Sequence, residues 1–237
     1  MTVAVPIVAG TAIRGVAATL MMRQVLRRHP YAFLITLAAF GVTLPLHRSQ
    51  EHLARDIRAG LVAMGRDPGD PLVLVGHSQG GLAVLRYAID HPRQVLHVIS
   101  VGAPWAGAAS ATRVTNVFGR RSRVVAPALS DMAQGSAFLA GLHRDLPRIA
   151  ERVTNIYSTH ELFIRPYTDA HIDVPGVHNI LIAEPEEHVR HLHVYPELPV
   201  DDLILGRVHH MNEMNSPMVR SRIWAKVDEV AAMHGLL

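Results

Sequence analysis

Apolar residues along this chain follow two alternating patterns. Short, nearly continuous apolar runs occur at 2–9, 32–39, 71–76, 95–101, 152–158, 177–183 and 202–208, and each predicts a strand. Between them apolar positions recur at helical spacing. In 49–64, Leu53, Ile57, Leu61 and Met64 fall on one face, with Ser49 as the expected N-cap. Near the C-terminus, Ser216 caps and Pro217 opens a helix whose Val219, Ile223, Val227 and Val230 form one stripe. Strands without polar alternation are buried on both faces. Regular alternation with helices therefore predicts a mostly parallel sheet covered on both sides, with its site at the carboxyl ends of the strands.

One such strand end reads LVLVGHSQGGLAVL, residues 72–85. A strand that turns at once into a helix leaves little room at the bend. The tip residue takes a strained backbone, and positions two before and two after it face neighbouring backbone where a Cβ clashes. Gly76 and Gly80 meet that need and make Ser78 the tip, its hydroxyl aimed out of the sheet. The alternative is a glycine turn with an idle serine. A serine hydroxyl is a weak nucleophile at neutral pH. It requires a histidine base, and the histidine a carboxylate that fixes its tautomer.

Composition narrows the classes. The 237 residues are 49% hydrophobic, enough for one domain with a sizeable core. Net charge is only +3 and aromatic residues are 5%, which argues against nucleic acid as a partner. There is no cysteine, so disulfides, thiolate catalysis and cysteine-ligated metal are excluded. The apolar N-terminus lacks a basic leader and is interrupted by Arg14; it reads as a strand and a helix rather than a signal peptide or membrane span. A cytoplasmic location is the expectation, with secretion open.

The elbow GHSQGG, followed by VGAPWAGA at 101–108 and GSAFLAGL at 135–142, resembles the α/β-hydrolase superfamily, and within it the small bacterial lipases and esterases with a minimal lid. The resemblance implies an α/β-hydrolase fold, with a mostly parallel sheet of about six to seven strands and helices on both faces, in one domain over 1–237. The family's acid-bearing strand reads I-Y-S-x-x-D-x-x-V-x-P. Here Ile156-Tyr157-Ser158-Thr159-His160-Glu161 places Glu161 at the acid's position, with Asp169 and Asp173 as alternatives. The family's G-V-G-H, followed by S-P-x-V at the last helix, matches the stretch from Gly206 to Val219 with His210 as the base. His209 is its neighbour, and His188, His191 and His193 are rivals. By the same resemblance the backbone N–H groups of Gln79 and Thr11 form the oxyanion hole, although an ordinary strand-to-helix turn also accounts for Gly10 to Gly15.

This assignment makes 184–202 an insertion, expected as a solvated loop or flap. A zinc site from His188, His191, His193 and Glu186 or Glu187 is the alternative there. His77 is expected to be structural. Trp105 either walls an acyl pocket or packs in the core, and Met132, Phe138, Leu139, Leu162 and Phe163 are expected in the core. Together these readings imply a serine hydrolase of short- to medium-chain carboxylic esters, with a Ser78–His210–Glu161 triad and no metal or other cofactor. The expected partners are a small-molecule or lipid ester and, at most transiently, a lipid surface. An acyltransferase or thioesterase with the same triad, or a non-catalytic binding protein, is the alternative.

Overall fold

The computed structural model describes residues 3–10, 22, 24–26, 29–36 and 44–236, the side chains of 110, 114, 120 and 125 excepted. All seven expected strands are present: β1 (Val5–Ala9), β2 (Ala32–Thr36), β3 (Leu72–His77), β4 (Val95–Val101), β5 (Val153–Ser158), β6 (His178–Ala183) and β7 (Asp202–Leu205). They form one parallel sheet in the order β2-β1-β3-β4-β5-β6-β7. The order reverses after β2, so the chain starts near one edge and then builds steadily toward the other. The main helices are α1 (Leu46–Ala63), α2 (Gln79–Asp90), α3 (Ala109–Phe118), α4 (Ser122–Val125), α5 (Pro127–Asp131), α6 (Ala137–Asp145), α7 (Pro185–Val194) and α8 (Pro217–Met233).

Strand periodicity divides the core into two layers. In β3, Leu72 and Leu74 point into the layer filled by Leu53, Ile57 and Leu61 of α1 and Leu82 and Leu85 of α2. Val73 and Val75 point into the other layer, with Met22, Val25 and the α8 stripe Val219, Ile223, Val227 and Val230. Both faces of the sheet are thus sealed from water, the reason its strands read as unbroken apolar runs. Each large aliphatic side chain so buried contributes about 2 kcal/mol to stability.

Three local expectations are corrected. Helix α1 starts at Leu46 with Pro45 at its N-cap, three residues before Ser49. Ser49 is buried inside the helix, and its Oγ donates to the Pro45 carbonyl at 3.1 Å. The stretch 184–202 is not a loop throughout, since it contains α7. There Glu184 and Glu187 form a reciprocal capping box and Pro185 opens the first turn, a start signal hidden in the Glu-His-Pro composition. Leu162 and Phe163 are exposed rather than core, each at 53%. Met132 and Leu139 are buried, and Phe138 is half-buried against the same layer.

Candidate active site

Ser78 sits between β3 and α2 with φ 56° and ψ −127°, and among the described residues no other non-glycine has positive φ. Such a conformation costs an L-residue on the order of 1–3 kcal/mol and persists only where packing enforces it. The enforcing contacts are visible. A Cβ on Gly76 would lie 2.5 Å from the Gly80 carbonyl, and one on Gly80 would press into the Val8 carbonyl. Strand β1 therefore runs directly behind the elbow. At its end, a Cβ on Gly10 would lie 2.7 Å from Ser78 Cβ and 3.3 Å from Oγ. Gly10, the residue after β1, thus lies beside the Ser78 hydroxyl. Thr11, the expected second oxyanion donor, lies outside the described residues. Gln79 opens α2 immediately after Ser78, at a helix end where backbone N–H groups point outward.

The candidate acid and base come from the other half of the sheet. Glu161 follows β5 and is buried. His210 opens a 3₁₀ turn, His210–Asn215, after β7. His210 Nδ1 lies 3.1 Å from Glu161 Oε1 and 3.0 Å from Oε2. A ring nitrogen facing two carboxylate oxygens carries its proton there, which leaves Nε2 as the basic nitrogen. Two hydrogen bonds hold this loop in place. Ser158 Oγ donates to the Val208 carbonyl at 2.7 Å and accepts from His160 N–H. His77 Nε2–H donates to the His210 carbonyl at 3.0 Å. The His77 and His210 rings are 4.7 Å apart, so His210 is anchored to the residue that precedes Ser78. Among the described residues no hydrogen bond joins Ser78 Oγ to the His210 ring; in apo hydrolases this contact commonly tightens only with substrate.

His77 is buried, and desolvation followed by the nearby His210 pushes its pKa down to about 3. It is a neutral imidazole that donates from Nε2, which fits the structural role expected of it. A further buried acid was missed by the sequence reading. Glu213 is fully buried, 3.3 Å from His77 Nε2 and 3.8 Å from His210 Nδ1. The available signal was its position three residues after His210, but only a 3₁₀ turn puts that spacing on one face.

The competing residues lie elsewhere. Asp169 is bound by Gln134 at 3.3 Å, and its backbone carbonyl accepts from Ala106 N–H. His209 Nδ1 lies 3.4 Å from the His160 carbonyl. His191 is buried in α7 with Nδ1 on the Tyr167 hydroxyl and Nε2 on the Leu198 carbonyl. Both its nitrogens are engaged, and His188, His191 and His193 form no ligand set among the described residues. A different group, His160, Glu184 and Glu187, brings three donor atoms within 4.8 Å. There the two ring nitrogens of His160 face different carboxylates, so the group is a pair of surface contacts around the α7 cap. Trp105 is a core residue, buried against the His143 ring, which bonds its carbonyl at 2.7 Å. Exposed Phe163 stands 5.3 Å from the His210 ring and, with Leu162, gives this end of the sheet an apolar rim.

A parallel sheet with a strained serine at the turn from β3 into a helix, and a His–Glu pair contributed after β7 and β5, defines an α/β-hydrolase architecture. Residues 34–177, more than half of the chain, match the family model of the alpha/beta hydrolase fold, and the chain belongs to that family. Among solved structures it is similar to the mature form of the Bacillus licheniformis lipase BlEst2, with a TM-score of 0.58 at 14% identity over 95% of this chain and 92% of that one. It is also similar to MGS-MChE2, an alpha/beta hydrolase from a lagoon-sediment metagenome in Morocco, at TM-score 0.55 and 15% identity over 99% and 93%. A third likeness, to Aspergillus fumigatus lipase B, has TM-score 0.53 and 17% identity and covers 75% of this chain but 43% of that one. At such identities the likeness is one of fold. No curated protein matches by sequence. No helix among the described residues is long and apolar enough to cross a membrane.

Proposed function

We propose that this protein hydrolyses carboxylic esters of short- to medium-chain acyl groups through an acyl-enzyme on Ser78. The observation that carries the proposal is the His210–Glu161 contact at 3.0 Å, tied through His77 to the strained Ser78 elbow. Ser78 Oγ attacks the ester carbonyl as His210 Nε2 takes its proton. The oxyanion is met by Gln79 N–H and, by family resemblance, by Thr11 N–H; one such donor is worth about 3 kcal/mol of barrier. The alcohol leaves with the proton from His210. Water then attacks the acyl-enzyme with the same proton relay and releases the acid. Glu161 orients the ring and offsets its charge while it is protonated. The exposed Leu162 and Phe163 favour an apolar substrate, a small or lipid ester. The chemistry requires no cofactor.

A fluorophosphonate probe should label Ser78, and nitrophenyl esters of increasing chain length should be cleaved with a preference for short to medium acyl groups. Folded protein that neither labels nor cleaves overturns the proposal in favour of a binding protein. Labelling without hydrolysis, with acyl transfer to an added thiol or alcohol, points to a transferase.

A further inference from the structure

The reaction above gives Glu213 no part, yet the fold makes a place for it beside the base. His210 and Glu213 lie three residues apart on a 3₁₀ turn, whose three residues per turn stack their side chains. Glu213 faces three titratable groups, two from elsewhere in the chain and one on its own turn: Glu161 after β5, His77 at the end of β3 and His210. The end of β4 leaves space for the two carboxyls. Gly102 has φ +53°, and a Cβ there would fall onto Glu213 Oε2 and lie 3.1 Å from Glu161 Oε1. Among the described residues neither Glu213 oxygen receives a well-aligned N–H or O–H donor. Two ionised carboxylates do not share a dry site, so one of the pair keeps a proton. Glu161 has both oxygens at 3.0–3.1 Å from His210 Nδ1, and Glu213 only one at 3.8 Å, so the charge belongs on Glu161. Burial, and then Glu161 itself, raise the Glu213 carboxyl well above the usual range.

We propose that Glu213 is a positioning residue of the triad: as a neutral carboxylic acid it donates its hydrogen to the Glu161 carboxylate, leaving a single negative charge held against His210. This rests on the reading of Ser78, His210 and Glu161 as a triad. The hydrogen bond disperses the charge on Glu161 and restrains its rotation. With His77 beside Glu213 Oε2 and bonded to the His210 carbonyl, the acid pair is tied to the elbow. A charge dispersed in this way holds the protonated imidazole less tightly, and the base returns to its neutral form more readily.

The test compares wild type, Glu213→Gln and Glu213→Leu in the pH profile of kcat/KM on a nitrophenyl butyrate and in an NMR titration of the His210 ring. The glutamine amide keeps a neutral donor toward Glu161. It should leave kcat within about 3-fold, and both the acid limb and the ring titration unmoved. Leucine removes the donor at similar volume. It should lower kcat about 10- to 100-fold and move the acid limb and the ring titration to higher pH. A Gln variant whose limb moves to lower pH shows an ionised Glu213 and overturns the proposal. So does a Leu variant that leaves limb and titration in place, whatever its kcat. If the Leu variant does not fold, the Gln titration alone decides, by coincidence with wild type or displacement from it. If no protein of the set cleaves any ester, the proposed function fails. The ring titration still reads Glu213, because it needs only folded protein.

Discussion

Two clusters of histidine and glutamate lie at the carboxyl end of this sheet, the inner one also flanked by His77 at 3.3 Å from Glu213, and the adjacent residues His160 and Glu161 belong to different ones. In the inner cluster of His210, Glu161 and Glu213, side-chain exposures are 5%, 0% and 0%. In the outer cluster of His160, Glu184 and Glu187 they are 10%, 49% and 32%. Contact distances overlap, at 3.0–3.8 Å inside and 3.2–3.5 Å outside. What differs is the medium. Water around the outer carboxylates screens the contacts, and Glu187 is left to cap α7 and accept from Thr159. Inside, the charge cannot be shared with solvent, so each proton has a fixed place, and in the proposed triad a fixed proton on His210 Nδ1 leaves Nε2 free to act as the base. Burial, more than residue type or separation, distinguishes the cluster suited to chemistry from the cluster that finishes a helix.

The widest separation between the clusters should appear in rate. Ser78→Ala or His210→Ala should each lower kcat by about 10⁴-fold or more while circular dichroism shows an intact fold. Glu161→Gln should follow, losing about 10³- to 10⁴-fold because an amide cannot offset the imidazolium. Near-normal hydrolysis in Glu161→Gln would move the acid role away from Glu161.

A smaller loss, in stability, is expected of Gly102→Ala. The left-handed backbone and the contact with Glu213 Oε2 together should cost about 2–3 kcal/mol in denaturant unfolding. Unchanged stability would mean that the carboxyl cage has slack.

Acid should destabilise the protein through its buried histidines. Burial lowers His97 and His171 to about 4, and His77 to about 3. Each folded-state histidine binds fewer protons than its unfolded counterpart, so its stabilisation is complete above about pH 6.5 and drains away as pH falls toward 4. Glu213, raised by burial, has the opposite sign: its contribution is complete below its unfolded value and declines as pH rises toward the folded one. Tm should therefore fall between pH 7 and pH 4. His97→Gln, which retains an amide for Thr154 Oγ1, should flatten that slope. A variant as acid-sensitive as wild type would remove His97 from the account.

The smallest effect belongs to the outer cluster. Glu187→Ala should cost no more than about 1 kcal/mol through loss of the α7 cap, with kcat/KM within 2-fold. A large loss of activity there would erase the contrast.

How much of this was legible can be judged residue by residue. The seven strands were legible because burial on both faces removes polar alternation. The α8 stripe was legible because Pro217 and four apolar positions agree. Helix α1 was placed but its start was not, since Ser49, a plausible cap, is spent on the Pro45 carbonyl. Helix α7 was hidden because its capping box is made of glutamates that read equally well as solvated loop. Leu162 and Phe163 were misplaced because apolar residues near a site face a substrate as readily as a core.

By itself the sequence determined the alternation that makes a parallel sheet, the glycines that permit a sharp turn at Ser78 and the candidates Glu161 and His210. The first two are local matters of period and steric size and need no distant partner; the two candidates came from resemblance to the family's motifs. Only the tertiary structure decided which histidine meets which carboxylate, that Glu213 stands beside them and that His160 does not. Those outcomes depend on which residues, far apart in the chain, are taken out of water together. That is fixed by how β3 to β7 end side by side in the sheet, a property of the assembled sheet that no single segment carries.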